Sequence, residues 1–253
     1  MSAVKLAVVT GASRGIGKEI VLRLVREGYQ VWALARSLEV LQKLASQVEV
    51  GRIRPLRMDA ERADDVLSAA AQVAQSGTPS VLVNNAGIAV SAPLPKTEHD
   101  AWQRTMAVNV TAPFLLCREL MPKMAASGGG RVINVASTAA LKGYKYTSAY
   151  CASKHALLGL TRALAVEYAQ KNVTVNALCP GWVDTDMLAA SAQTIAQTTG
   201  RTVEEARQTL AKMNPMGRLV TPAEVAELCA FLVSPAAAAV TGAAYTMDGG
   251  ESA

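Results

Sequence analysis

The chain has 253 residues, of which 51% are hydrophobic, 18% charged and only 4% aromatic. That mixture suits a buried core of Ala, Val, Leu and Ile and excludes a disordered or fibrous chain. The formal charge of +5 sits on scattered basic residues with no stripe of interleaved aromatics, so no nucleic-acid partner is expected. No apolar run reaches the ~18–20 residues of a membrane span. The opening "MSAVKLAVVTGAS" lacks the basic start and cleavage site of a signal peptide, and a cytoplasmic location is expected. The four cysteines (Cys117, Cys151, Cys179, Cys229) form no Cys-x-x-Cys pair. With only His99 and His155 to add, ligands are too few for a metal site, and reduced, mostly buried thiols are expected.

Short apolar, β-branched runs alternate with longer amphipathic ones. "KLAVVTG" predicts a strand and "IGKEIVLRLVREG" a helix closed by Gly28. "YQVWALA" is the second strand, and "SLEVLQKLASQV" the second helix, with Ser37 as its N-cap. "IRPLRMD" predicts a third strand ending at Asp59, before a helix over "ADDVLSAAAQVAQSG". "SVLVNNAG" is the fourth strand, and one helix runs from about Asp100 to Ala126, broken by Gly128-Gly129-Gly130. "RVINVAS", a helix from Tyr150 to Gln170, "VTVNALCPG", a helix over "PAEVAELCAFLVS" and a strand in "GAAYTMDGG" complete the order. Alternating β and α, with strands apolar on both faces, predicts one α/β domain over 1–253. It is a doubly wound, Rossmann-like parallel sheet with helices on both faces. The ligand site belongs at the carboxyl ends of the strands.

The unusual residues cluster at those ends. "TGASRGIG" joins the first strand to the first helix, with glycines at Gly11, Gly15 and Gly17. Free amides and the helix dipole make such a turn an anion site. A carboxylate at the end of the second strand would hold the 2′-hydroxyl of an NAD ribose. Here Ala35 stands there, Arg36 follows, and Arg14 lies inside the glycine loop; two guanidiniums converging there favour a 2′-phosphate. Glu39 is the nearest acid and falls in the first turn of the next helix. Asp59 is a candidate partner for an adenine amino group.

"SAYCASKHAL" sets Tyr150 one helical turn before Lys154. A phenol normally titrates near pH 10. A cation one turn away lowers that value and makes the pair an acid–base couple. The pair gains weight from "NNAG" at Asn84–Gly87, Asn109 in the next helix and Ser137 past the fifth strand. Together with "TGASRGIG", Asp59, "PGWVDT" (Pro180 to Thr185) and "MDGG", this set resembles the short-chain dehydrogenase/reductase family over essentially the whole chain.

The resemblance implies a cofactor-binding part over about 1–135 and a catalytic and substrate part over about 136–253. It implies Tyr150 as proton donor or acceptor, Ser137 as hydrogen-bond partner of the reacting oxygen, and Lys154 as the group that lowers the Tyr150 pKa and holds the nicotinamide ribose. Asn109 would anchor a water chain leading from Lys154. Gly11, Ser13, Arg14, Gly15, Ile16, Gly17, Arg36, Asp59, Ala60, Asn85, Ala86, Gly87, Pro180, Gly181, Val183 and Thr185 would line NADP(H), with NAD(H) as the second option. Asn84 would line the cofactor with Ala86 and Gly87 beyond the fourth strand, and Thr185 with the backbone near Val183 would fix the carboxamide.

Pocket walls are expected from Ile88, Val90, Ala139, Leu141, Tyr144, Trp182, Met187 and Leu188, with Ser137, Tyr144, Trp182 and Met187 closest to substrate. A lid is expected over about 187–214. The C-terminal third resembles bacterial ketoreductases of fatty-acid and polyketide synthesis. The lid's opening is also similar to hydroxybutyrate and hydroxyacyl dehydrogenases, which carry a polar residue where Ala139 stands. Four functions follow: an NADPH-dependent ketoreductase on a β-ketoacyl thioester or related polyketide, an NAD-linked hydroxyacyl or secondary alcohol dehydrogenase, a broad reductase of steroid-like or xenobiotic ketones, and an inactive binding protein. Lys142, Lys145, Arg201, Arg207 and Lys212 are the basic residues expected to meet coenzyme A or an acyl carrier protein. The helices over Asp100–Ala126 and Tyr150–Gln170 are expected to pair into a homotetramer or homodimer.

Overall fold

The computed structural model describes residues 5–253; residues 1–4, and with them the start of the leader reading, lie outside it. Seven parallel strands form one sheet in the order β3-β2-β1-β4-β5-β6-β7. They are β1 (Leu6–Thr10), β2 (Gln30–Ala35), β3 (Ile53–Arg57), β4 (Val81–Asn84), β5 (Gly130–Val135), β6 (Val173–Pro180) and β7 (Ala244–Met247). The expected doubly wound α/β fold is what the chain adopts.

The strand period explains the layering. Side chains alternate across a strand, and in β1 Ala7 and Val9 pack to one face while Val8 packs to the other. The first face is covered by α1 (Gly15–Arg26), α2 (Leu38–Ala45) and α9 (Pro222–Val233), through residues such as Ile20, Leu41 and Val225. The second is covered by α3 (Ala63–Ser76), α5 (Ala112–Ala126) and α6 (Ser148–Tyr168), through Val66, Leu116 and Ala165. The chain leaves β1 toward β2 on one side and returns as β4 on the other. That reversal opens a crevice beyond the carboxyl ends of β1 and β4.

Three differences from the sequence expectations have physical causes. The third strand stops at Arg57, because Asp59 turns its carboxylate back to the Glu61 amide and starts a turn. The helix expected over Asp100–Ala126 is two: α4 (His99–Met106) passes through a wider π turn at Ala107–Thr111 into α5. A π turn inserts one residue into the helical ladder, often at a functional position, and here that turn holds Asn109. Ser37 does precede α2, but its side chain makes no capping hydrogen bond.

The lid segment forms two helices, α7 (Asp186–Thr199) and α8 (Val203–Ala211), with Leu188, Ala192, Ala206 and Leu210 buried between them. Among the described residues no helix is long and apolar enough to cross a membrane, and no cluster of His, Cys, Asp and Glu could hold a metal.

Candidate active site

The glycine loop is shaped by close backbone approach. Gly11 adopts φ +64°, and a Cβ there would lie 2.9 Å from the Ala86 Cα. A Cβ on Gly17 would lie 2.3 Å from the Gly11 carbonyl oxygen, so no larger residue fits either position without displacing backbone. Thr10 joins the two loops of the crevice: its hydroxyl oxygen accepts from the amides of Asn85 (3.0 Å) and Ala86 (2.9 Å). Asn85 returns a bond from Nδ2 to the Thr10 carbonyl at 2.9 Å. Helix α1 starts at this loop with no side-chain cap, which leaves first-turn amides without intrahelical partners at the mouth of the crevice. On the far side, Thr185 reaches over the loop, since a Cβ on Gly15 would sit 3.1 Å from its methyl.

This cradle fits a dinucleotide. The amides and dipole of α1 suit a pyrophosphate, and no carboxylate stands at Ala35 to oppose a 2′-phosphate. Arg36 is exposed at that strand end. Arg14 does not converge with it: its guanidinium pairs with Asp186, at the start of the lid helix, at 3.2 Å. Arg57, which carries no motif in the sequence, lies directly across from Ala35 in the strand register, with its guanidinium 3.7 Å from the Asp65 carboxylate.

Ser137, Tyr150 and Lys154 come together beyond β5. Ser137 is extended (φ −179°), and its Oγ accepts from the Ala139 amide at 3.1 Å while its hydroxyl lies against the Tyr150 phenol. Lys154 is buried, 3% exposed, and its ammonium donates to the Val135 carbonyl at 2.8 Å. The same ammonium lies 5.6 Å from the Tyr150 ring centre. Burial pulls the Lys154 pKa down to about 8, with the nearby Cys179 opposing the shift. The Tyr150 phenol moves up, against the expected direction. Its burial outweighs the downward pull of the Ser137 hydroxyl, and Lys154 spends its bond on the Val135 backbone.

Asn109 is fully buried and fully used. Its Oδ1 accepts from the Ile88 amide at 2.9 Å, while its Nδ2 donates to the Ile88 carbonyl and to Ser153 Oγ, both at 2.9 Å. Ser153 in turn donates to the Tyr150 carbonyl at 2.7 Å. The expected water-anchoring residue therefore pins the "NNAG" loop to α6. A Cβ on Gly87 would lie 3.4 Å from Asn109 Oδ1 and 3.5 Å from Lys154 Nζ, so the loop runs close above both. Beneath it, Asn84 donates to Asn134 and Asn134 to Thr161, both at 2.8 Å, which ties β4, β5 and α6 together.

The expected pocket walls divide. Tyr144 and Trp182 meet edge to face at 6.4 Å between ring centres. Ile88 and Val90 are half-buried and Met187 is exposed at the lid. Ala139 and Leu188 are packing residues, each 2% exposed. Leu141 faces a cavity of about 630 Å³ on the outer side of the C-terminal tail; none of Ser137, Tyr150 and Lys154 lines it. Two of the five expected phosphate-facing cations are neutralised: Lys142 pairs with Glu251 at 3.2 Å and Arg207 with Asp184 at 2.7 Å. Pro180 ends β6, and Gly181 and Val183 lie in the turn that follows, where the Gly181 amide donates to Met247 and Val183 pairs with Val220. Ser13, Ile16, Asp59 and Ala60 are partly exposed around the crevice.

A parallel doubly wound sheet with a glycine cradle at its switch point, beside a half-buried tyrosine and a buried lysine one turn apart, defines a nucleotide-dependent dehydrogenase or reductase. The profile described as short chain dehydrogenase matches residues 5–196, and the chain belongs to that family of oxidoreductases, which interconvert C=O and CH–OH. It is 37% identical over 256 residues to a Streptomyces coelicolor protein provisionally named a ketoacyl reductase, covering 97% of this chain and 96% of that one. It is 38% identical over 255 residues to a D-β-hydroxybutyrate dehydrogenase of Cupriavidus necator, covering 97% of each. A single-substitution variant of actinorhodin polyketide ketoreductase, solved with NADPH, superposes with a TM-score of 0.94 at 35% identity, over 100% of this chain and 99% of that one.

Replacing Asn109 by Ala is expected to strand the Ile88 amide and carbonyl and to remove the bond that Ser153 Oγ accepts. The loss should be about 2–4 kcal/mol by chemical denaturation, since each unmet buried group costs about 1–3 kcal/mol.

Proposed function

We propose that this chain is an NADPH-dependent ketoreductase whose substrate is a β-ketoacyl thioester or a related cyclic ketone. The observation that carries the proposal is the meeting of Ser137, Tyr150 and Lys154 at the mouth of the dinucleotide crevice. The bound nicotinamide supplies the hydride. Ser137 turns its O–H to the carbonyl oxygen and holds it while negative charge develops. Tyr150 then gives that oxygen its proton. The raised Tyr150 pKa keeps the phenol protonated at neutral pH, which suits reduction. The Lys154 ammonium, largely protonated at pH 7 with a pKa of about 8, offsets the phenolate left behind. Asn109 keeps the loop and helix in register through Ile88 and Ser153.

The likeness to a ketoreductase solved with NADPH supports this reading, as does the absence of an acid at Ala35. An NAD-linked hydroxyacyl or alcohol dehydrogenase is the second reading, favoured by the hydroxybutyrate dehydrogenase relative. Exposed Phe114 on α5 and Val166 on α6 support pairing of those helices in a homotetramer or homodimer. Lys145, Arg201 and Lys212, which make no ion pair among the described residues, would steer the phosphates of coenzyme A or the acidic face of a carrier protein.

Tyr150→Phe should lower the rate of ketone reduction roughly 100- to 10,000-fold while NADPH binding changes little. Retention of a third of the turnover, in a stopped-flow or steady-state assay, would remove Tyr150 as the acid.

The unmodified protein should bind NADPH more tightly than NADH. One phosphate–guanidinium contact contributes roughly 1.5–3 kcal/mol, or about ten- to hundredfold. Ala35→Asp combined with Arg36→Ala should reverse the preference in fluorescence titrations; equal affinities in the unmodified protein would contradict the cofactor assignment.

A further inference from the structure

The lid begins against the cofactor cradle, and its first charged residue has no part in the chemistry above. Thr185, the N-cap residue of α7, sets its methyl over the glycine loop, where a Cβ on Gly15 would meet it at 3.1 Å. Asp186, the first residue of α7, lies 3.2 Å from the Arg14 guanidinium. Arg14 is itself the N-cap residue of α1, so its side chain is rooted at the helix start that the fold offers to a phosphate. A carboxylate and a bound phosphate therefore contend there for one cation.

The pair is not what holds the lid together. Helices α7 and α8 bury Leu188, Ala192, Ala206 and Leu210 against each other, apart from the cores on the two faces of the sheet. They stand on a short neck, in which the Asp184 amide donates to the Val220 carbonyl and the Val220 amide to the Trp182 carbonyl, both at 2.9 Å. Arg207 pairs with Asp184 inside this unit. Among the described residues, Arg14–Asp186 is thus the one ion pair between the lid and the glycine loop. Its side chains are 70% and 68% exposed, and a pair so open to water is weak. Asp186 keeps a favourable place without Arg14, because the first turn of α7 is the positive end of its dipole and Thr185 makes no side-chain cap there. A phosphate, with more charge and three oxygens for a forked contact, is the stronger partner for a guanidinium.

We infer that Asp186 is a determinant of cofactor affinity: it holds Arg14 in an ion pair that a phosphate of the dinucleotide must break, and Arg14 passes from carboxylate to phosphate on binding. The inference rests on the reading of the glycine loop as a dinucleotide cradle, and it adds to that cradle a residue of the lid. The step exchanges one ionic partner for another, with no proton transferred and no covalent bond changed. The Arg14 expected to serve a phosphate and the Arg14 paired with Asp186 are then two states of one side chain. The cost of the exchange falls on the lid, which loses its ionic tie to the loop when the cofactor takes Arg14.

The test is fluorescence titration of the full chain with NADPH and with NADH, no ketone being present. Asp186→Asn keeps the size of the side chain and should tighten binding about two- to fivefold, the scale of an exposed ion pair. Arg14→Met should weaken binding about fivefold or more. In the Arg14→Met background Asp186→Asn should change nothing, since no shared cation is left to release. Tightening of NADPH alone would assign Arg14 to the 2′-phosphate, and equal tightening of NADH would assign it to the pyrophosphate; both support the exchange. Tightening that persists without Arg14 would mean plain repulsion between Asp186 and the cofactor and would overturn the inference. Looser binding by Asp186→Asn, a change below about 1.5-fold, or unchanged binding by Arg14→Met would overturn it as well. Both side chains are exposed, so the variants should fold. A chain that binds neither dinucleotide would sink this inference together with the cradle reading, whereas binding indifferent to Asp186 would sink this inference alone. Tightening as stated in a protein that reduces no ketone would keep it and sink the ketoreductase reading.

Discussion

The site depends on one buried cation. An ammonium removed from water must find compensation or lose its proton. Lys154 finds it in the Val135 carbonyl, at the last residue of β5, and gives up some of its basicity. That single bond locks the first turns of α6 onto the end of the sheet. Tyr150 is one turn away on the same helix, and Ser137 is two residues beyond the same carbonyl, so both are placed by it. The folded pKa lies below the unfolded value, so the unfolded chain holds the proton longer. The group's contribution to stability therefore rises with pH between about 8 and 10.5, the reverse of an ordinary surface lysine pair.

Around that anchor the other parts are arranged to leave space rather than to fill it. Gly11 and Gly17 let the first loop touch the fourth-strand loop, with Thr10 and Asn85 bonding across the seam. Asn109 closes the third side through the backbone of Ile88, which is why a π turn is tolerated in the middle of a long helix. The result is a crevice with free amides at one end and a protonated phenol at the other. The lid helices stand over it through the Arg14–Asp186 and Arg207–Asp184 pairs, exposed contacts that each contribute little and are easily broken.

The sheet and the order of its strands are legible in the chain alone, because the period-two and period-3.6 patterns are strong in an aliphatic sequence with few aromatics. The Tyr150–Lys154 pair, Ser137 and the glycine loop were readable because each has a fixed local spacing. What escaped was set by contacts between distant segments. The direction of the Tyr150 shift depends on how Lys154 is spent on Val135, which no spacing reveals. Arg14 pairs with Asp186, 172 positions away, a contact that no local spacing reveals. Glu251 and Lys142 are 109 positions apart and carry no motif, so neither the tail's inward turn nor the neutralised Lys142 had a signal in the sequence. The π turn at Asn109 has no residue-type signal, since Ala107–Thr111 contains no glycine or proline to mark it.

The account turns on Lys154 being a desolvated ammonium held at the end of β5. Its titration can be followed directly by ¹³C NMR of protein labelled at the lysine ε-carbon, with Lys154→Met used to assign the signal. The structure requires a midpoint near 8 for this one lysine; a midpoint at the ordinary 10.5 would mean a solvated side chain and would contradict the arrangement on which the proposed proton transfer is built.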